Sequence, residues 1–454
     1  MKILHYSLGL PPFRSGGLTK YSMDLINQQA KLGADISLLY PGSIINNSTT
    51  KIVKNKKFNE VKVYEMINPL PIPLLDGVKN PKIFHEKRHK KYFYEWLTKK
   101  KFDILHIHTL MGLPYELLEV ASSLNIKMVY TTHDYYGICP KVNLIRSNNE
   151  ICNDNSKYSK CIECCENGFS YKKIMIMQSR PYRLIKGTSI GRKIIGITKK
   201  RDIGALKSRT IEINKNKSRY NGEQKKDYEK LQEYYKNIFE KIDLFHFNSN
   251  VSKQVFEKYL RDINGKVIPI THCDISDNRI VKKYDSDKLR ILFLGNDLPY
   301  KGLQLLIDSL QVIDKSKWEL NVYGTDIKQE DNNINYHGKY IQSELKNIFN
   351  KNDILIVPSI WYETFSLVAL EAYSYGMPII MTDLVGFKDM ITNNENGFII
   401  KPCKEELTDL IESLIKNKSI LERVNSNILN KKFTLQEDIH IKKIFQIYEE
   451  LIGE

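Results

Sequence analysis

The chain has 454 residues, 42% of them hydrophobic and 27% charged, which excludes a disordered protein and exceeds what a single core holds. Its apolar runs are strand-sized, which excludes a transmembrane helix, and the opening Met-Lys-Ile-Leu-His-Tyr before Pro11 and Pro12 is too short and polar for a signal-peptide core, so a cytoplasmic protein is expected. The formal charge is +16, and residues 171–241 carry 20 Lys or Arg against 7 Asp or Glu. Such a balance fits an acidic partner (a nucleoside diphosphate, an anionic membrane surface, a lipid phosphate or nucleic acid) or a plain solvated helical face. Seven cysteines, an odd number without a secretion signal, argue against a disulfide framework.

Strand and helix patterns alternate from the start. Lys2–Tyr6 reads as a strand, followed by a polar loop through Gly17 and a helix over 18–31 that Gly33 stops. Further strands are predicted at 35–40, 103–108 and 127–132, with a helix near 113–124. This β-α-β order predicts a parallel sheet with helices on both faces, and ligands bind such sheets beyond the carboxyl ends of the strands. Residues 140–240 break the rhythm with a cysteine-rich loop (139–165) and a basic, Tyr-rich helical insertion (171–241). The pattern resumes with a strand at 242–247 and a helix at 249–259. A second doubly wound domain is expected from Leu289: strands at 289–294, 318–323, 353–357 and 378–381, with helices from Lys301 and over 365–375. The domains read as 1–270 and 287–432, and an amphipathic helix within 433–454 is expected to pack back on the first.

The segment Pro358-Ser-Ile-Trp-Tyr-Glu-Thr-Phe-Ser-Leu-Val-Ala-Leu-Glu-Ala-Tyr-Ser-Tyr-Gly-Met-Pro378 places Glu363 on a loop between a strand and a helix, and Glu371 on the helix. The free N–H groups of such a helix start attract phosphate by about 0.3–1 kcal/mol, Glu363 can reach a polyol, and Glu371 can accept hydrogen bonds from a ribose diol. Two glutamates eight residues apart would by themselves describe an ordinary surface helix. The segment, however, resembles the signature of the retaining glycosyltransferases of group 1, which have the α/β GT-B fold of two facing Rossmann-like domains: Glu-x7-Glu after Pro-Ser, then Ala372, Gly376 and Pro378. The resemblance implies that Glu363 contacts hydroxyls of the donor sugar, that Glu371 holds the ribose, and that the backbone of Thr364, Phe365 and Ser366 faces sugar and diphosphate.

Three further motifs fit the same family. Phe293-Leu-Gly-Asn-Asp-Leu-Pro-Tyr-Lys301-Gly302 has a Lys at a helix start, as a phosphate needs, although Lys-Gly alone is a common turn. The family pairs this Lys with an Arg, and here that position is Asn296, which keeps a donor and loses the charge. Gly16 and Gly17 let backbone approach a ligand closely, and the resemblance places them on the donor diphosphate. Tyr130-Thr-Thr-His133-Asp134 puts a His at a strand end; the resemblance makes His133 the catalytic candidate, orienting the sugar or stabilising charge. Of His106 and His108, on one strand, only one is expected to face a ligand. Cys139, Cys152, Cys161 and Cys164 are candidate ligands of a structural zinc, with free thiols as the alternative; catalysis by the family needs no metal.

These readings imply an enzyme that transfers a sugar from a nucleotide sugar, a UDP-sugar by family habit, to the hydroxyl of a cell-envelope glycan or lipid-linked acceptor with retention. The alternative is a degenerate, non-catalytic nucleotide-sugar binder. The basic insertion is expected to meet an anionic membrane surface, making the protein cytoplasmic or peripheral at the inner face. No nucleic-acid-binding signature accompanies it, and no nucleic acid is expected as partner.

Overall fold

A computed structural model of the protein describes residues 1–45, 49–73, 77–154, 158–188, 222–325 and 331–453. Within the basic insertion, 189–221 lie outside the described residues. The helices Tyr171–Met177, Arg180–Gly187 and Gly222–Phe239 flank that stretch.

In chain order the strands are β1 (Lys2–Tyr6), β2 (Asp35–Pro41), β3 (Lys51–Lys54), β4 (Lys62–Ile67), β5 (Ile104–Ile107), β6 (Lys127–Thr131), β7 (Leu244–Phe247) and β8 (Gly265–Val267), then β9 (Leu289–Leu294), β10 (Trp318–Tyr323), β11 (Ile334–Gly338), β12 (Ile354–Val357), β13 (Ile379–Thr382) and β14 (Phe398–Ile400). They form an eight-stranded sheet, ordered β3-β4-β2-β1-β5-β6-β7-β8, and a six-stranded sheet, ordered β11-β10-β9-β12-β13-β14. Two compact units result. One comprises Met1–Ser147, Cys152–Phe245 and Ile447–Glu454; the other comprises Asn148–Ile151 and His246–Gln446.

The strand sequences explain the parallel architecture. Ile-Leu-Ile-Val of β12 and Ile-Ile-Met-Thr of β13 are apolar on both faces and almost wholly buried, as strands sandwiched between two helical layers must be. Toward the edge, β10 alternates buried and half-buried residues and β11 is partly exposed. The hairpin β3–β4, which the sequence pattern did not reveal, pairs antiparallel at the edge of the first sheet, and exposed Lys51 and Lys54 blunt it against further pairing. The helix Leu303–Leu310 buries Leu303, Leu306 and Leu310, each worth about 1.5–3 kcal/mol of apolar burial. At the foot of the second sheet, Arg290 and Asp353 form a forked ion pair with the closest N–O distance at 2.6 Å, and the Arg290 N–H donates to the same carboxylate at 2.8 Å. This bidentate pair fixes β9 beside β12.

At the opposite, carboxyl ends of those strands, the loops after β9 and β12 lock together. Gly302 has φ +78°, and a Cβ there would lie 1.8 Å from the Pro358 carbonyl oxygen, so both the backbone conformation and the space demand glycine. The Ile360 N–H donates to the Tyr300 carbonyl at 2.9 Å, and Tyr300 and Trp361 pack edge to face at 5.2 Å. Replacing Gly302 with Ala is expected to lower unfolding stability by about 2–3 kcal/mol, measured by denaturant titration against wild type.

Candidate functional site

The interlocked loops of the second unit carry the two charges the sequence treats separately. Lys301 Nζ meets Glu363 Oε1 at 2.9 Å, and the Ser359 hydroxyl donates to Glu363 Oε2 at 2.6 Å. Both charged side chains are largely covered, and Lys301 Nζ also lies 5.3 Å from the Trp361 ring centroid, a cation–π distance. The Glu363 backbone is pinned on both sides: its N–H donates to Leu384 O at 3.0 Å and its carbonyl accepts from Gly386 N–H at 2.9 Å. Gly386 is required there, because a Cβ would meet Ser249 Oγ at 2.4 Å and Thr364 O at 2.5 Å.

The helix that follows is Leu367–Ser374, capped by Ser366, whose hydroxyl accepts from Ala369 N–H at 3.4 Å. Thr364 is buried, and its carbonyl accepts from the Ser249 hydroxyl at 2.7 Å. The Phe365 ring is buried against Phe387 at 5.5 Å, which leaves its backbone as the part able to meet a ligand. Asn296 is exposed on the loop after β9, and its carbonyl takes the Leu298 N–H at 2.9 Å.

Glu371 is buried one helical turn further on, apart from the Lys301–Glu363 pair. His272 Nε2 lies 3.2 Å from its Oε1, and the Gln342 amide donates to the same oxygen at 3.4 Å. Burial, with the charge of Glu371 adding to it, pushes the Tyr340 phenol up to about 12. His272, Gln342, Ser359 and Trp361 were not among the residues singled out from sequence. Ser359 and Trp361 lie inside the signature segment and were within reach; His272 and Gln342 stand alone in unpatterned sequence, and only the fold brings them to Glu371.

In the first unit, helix Gly17–Lys31 begins directly after β1 and its loop. Gly16 holds φ +111° with open space around its Cβ position, so it is the backbone angle, and not crowding, that calls for glycine. His133 follows β6 and leads into a buried chain of side chains. Its Nε2 is 3.5 Å from His108 Nδ1; His108 Nε2 is 3.0 Å from His5 Nδ1; His5 Nε2 is 2.8 Å from Gln29 Oε1. The Gln29 amide donates to the Tyr448 hydroxyl at 3.3 Å, and Tyr448 bonds His106 Nδ1, whose Nε2 meets Thr131 Oγ1 at 2.6 Å.

Burial lowers His5 to about 3, against the hydrogen bond it donates to Gln29, which opposes the shift, so the imidazole is neutral near pH 7. Because the Gln29 carbonyl accepts, His5 Nε2 carries the proton and its Nδ1 accepts from His108, whose Nδ1 in turn accepts from His133. The chain of donors therefore runs one way and sets the tautomer of His133. The expectation that only one of His106 and His108 faces this side is corrected: residues two apart on a strand share a face, and their rings stack at 4.2 Å. Beside His133, burial pushes the Asp134 carboxyl up to about 6, opposed by the Tyr136 N–H it accepts at 2.9 Å.

Among the described residues no disulfide joins any pair of cysteines, and no helix is long and apolar enough to cross a membrane.

Comparison with known proteins fits this geometry. Residues 274–431 match the family model of glycosyl transferases group 1, and residues 15–150 match that of glycosyltransferase family 4. These two stretches are thus similar to glycosyltransferases of group 1 and of family 4, and the two sheets have the GT-B fold. Among curated relatives it is 32% identical over 158 residues to an uncharacterized 41.2 kDa protein of the cps region of Klebsiella pneumoniae, covering 34% of this chain and 42% of that one. It is 24% identical over 200 residues to the capsular polysaccharide biosynthesis glycosyltransferase CapM of Staphylococcus aureus, covering 41% and 49%. The chain thus spans about half the length of these relatives. Among solved structures, sucrose-phosphate synthase from Thermosynechococcus elongatus superposes with a TM-score of 0.58 at 14% identity over 100% of this chain and 99% of that one. Anabaena HepE in complex with UDP and glucose gives 0.55 at 14% over 100% of both.

The neutral buried imidazoles make stability pH-dependent. His5 at about 3 and His246, lowered by burial to about 4, bind fewer protons folded than unfolded. The stability they contribute is complete above their ordinary value near 6.5 and is lost as pH falls toward 4. Asp134 opposes this, since its raised value favours the folded state in acid and costs stability as pH rises toward about 6. Two imidazoles against one carboxyl leave a net loss on the order of 2–3 kcal/mol between about pH 7.5 and 4.5, to be read as a lower melting temperature in acid by calorimetry.

Proposed function

We propose that this protein transfers a glycosyl group from a UDP-sugar to a hydroxyl of a cell-envelope glycan or lipid-linked acceptor, with retention at the anomeric carbon. The observation that carries the reading is the Lys301–Glu363–Ser359 array on the interlocked loops of the matched group 1 domain. An ammonium and a carboxylate held together within a part-buried loop pair suit a ligand that brings both negative phosphate and neutral hydroxyls. On donor binding, Lys301 exchanges Glu363 for a diphosphate oxygen, and Glu363 turns to the sugar hydroxyls. Glu371, separate from this pair and beside His272 and Gln342, takes the ribose diol.

In the reaction the bond from the anomeric carbon to the diphosphate oxygen breaks, and the electron pair leaves with the diphosphate. Lys301 and the backbone N–H groups near Ser366 stabilise the leaving group. The acceptor oxygen bonds the anomeric carbon from the same face, and its proton passes to the departing diphosphate. The same-face route is what the resemblance to the retaining group 1 enzymes implies. His133, its tautomer fixed through His108, steadies charge at the reacting centre, and Gly16 and Gly17 offer backbone to the diphosphate. Support for UDP comes from HepE, solved with UDP and glucose, and support for an envelope acceptor from CapM, named for capsular polysaccharide biosynthesis. The basic insertion favours an anionic inner membrane surface as the place of work.

Incubation with UDP-sugars and cell-envelope lipid extract is expected to release UDP in a protein-dependent way. UDP-sugar binding without release from any donor would instead establish a non-catalytic binder. Glu371→Ala should weaken UDP-sugar binding about 10–100-fold by removing hydrogen bonds to a charged acceptor, and Lys301→Ala should weaken it more at low salt than at high salt. Isothermal calorimetry at two ionic strengths reads both, and wild-type affinity in either variant would refute the assignment of that residue.

A further inference from the structure

The cysteine-bearing stretch after His133 takes no part in this reaction, yet its thiols are gathered by several independent features. Cys139 closes a tight turn: its N–H donates to Tyr135 O at 2.8 Å and its carbonyl accepts from Val142 N–H at 2.9 Å. The chain then doubles back, and the Cys152 N–H donates to Leu144 O at 2.7 Å, returning Cys152 to the Cys139 turn. The helix Tyr158–Cys164 carries Cys161 and Cys164 three residues apart, hence on one helical face. Cys161 is buried there with Cys165 and Tyr228, and Cys164 packs against the same cluster.

The sulfurs are also furnished with donors. Cys139 Sγ accepts from the backbone N–H groups of Leu144 and Lys141, and Cys164 Sγ from that of Ser147. Each of Cys139, Cys152, Cys161 and Cys164 lies within electrostatic reach of the other three. The fifth thiol, Cys165, is held by the Val78 N–H and by Tyr228.

Burial pushes the Cys139, Cys161 and Cys164 thiols up, so they keep their protons until an ion displaces them. Four thiols in one partly buried neighbourhood offer four soft ligands, and an all-sulfur tetrahedral set selects zinc among the common divalent ions. From this arrangement we propose that Cys139, Cys152, Cys161 and Cys164 bind one zinc ion. On binding, each thiol releases its proton to solvent and forms one Zn–S bond; zinc is redox-inert, so no oxidant or reductant is needed.

His5, His106 and His108 are the group, among the described residues, whose ligand atoms lie within 4.8 Å of one another. Their nitrogens are already engaged with each other and with Gln29, Thr131 and Tyr448, which makes them the poorer site. No three of the four sulfurs lie within 4.8 Å of one another, whereas ~2.3 Å Zn–S bonds imply about 3.8 Å between sulfurs. Binding therefore requires the sulfurs to draw together, and Cys152 and Cys164 are half-buried. The bound ion would staple the turn that leads out of His133 to the helix Tyr158–Cys164.

The test is elemental analysis of protein purified without chelator or metal-affinity resin. One zinc per chain is expected, released by a mercurial thiol reagent. Cys161→Ser and Cys164→Ser should lose it, while Cys273→Ser, at an exposed site elsewhere, should retain it. Zinc well below one per chain in folded, reduced protein overturns the proposal, as do iron with acid-labile sulfide in its place, or full zinc in both serine variants. Should those variants not fold, cobalt exchanged into the wild-type protein decides. Intense thiolate-to-cobalt and tetrahedral d–d bands support the site, and their absence overturns it. Both readouts are independent of glycosyl transfer.

Discussion

The ion pair between Lys301 and Glu363 depends on, and reports, the contact that organises the second unit. Gly302 lies flat on the Pro358 carbonyl, so the loop leaving β9 and the loop leaving β12 are a single structural element. The Arg290–Asp353 fork fixes the same two strands at their other ends. A partly covered pair such as Lys301–Glu363 adds only about 1 kcal/mol of stability. Its value lies elsewhere: each partner keeps the other oriented at modest cost, and in the proposed reading a ligand with phosphate and hydroxyl groups replaces both contacts.

The first unit solves a different problem. Five polar side chains with ring or amide groups (His5, His106, His108, Gln29 and Tyr448) are buried beside β1 and β5, where an unmatched donor would cost about 1–3 kcal/mol. They are matched to one another in a fixed direction of donation, and the last member of the series on the open side is His133. A histidine oriented by a rigid, neutral network presents one tautomer, as the proposed role of His133 requires.

Much of this was legible in the sequence. The strands at 2–6, 289–294 and 318–323 follow from apolar runs bounded by turns, and the signature from Pro358 to Pro378 marked Glu363, Glu371 and, with its partner motif, Lys301. What sequence could not show was set by tertiary contact. The hairpin β3–β4 is Lys-rich and short, so its pattern is that of a loop. The Lys301–Glu363 pair joins residues 62 apart, and His272 reaches Glu371 from the unpatterned stretch after β8. His106 and His108 carried the right signal, since a spacing of two means a common face, but a face becomes a network only when Gln29 and Tyr448 close it.

That closure bears on how the chain is made. Tyr448 lies 342 residues after His106 and 419 after Gln29, yet it shares their buried cluster. During synthesis the strands and helices of the first unit emerge early and can begin to collapse, but their innermost polar groups lack one hydroxyl until the helix Glu437–Ile452 has left the ribosome. Until then water, or a loosened core, must stand in for it. The nascent first unit is thereby kept short of its final packing while the second unit is translated and folds.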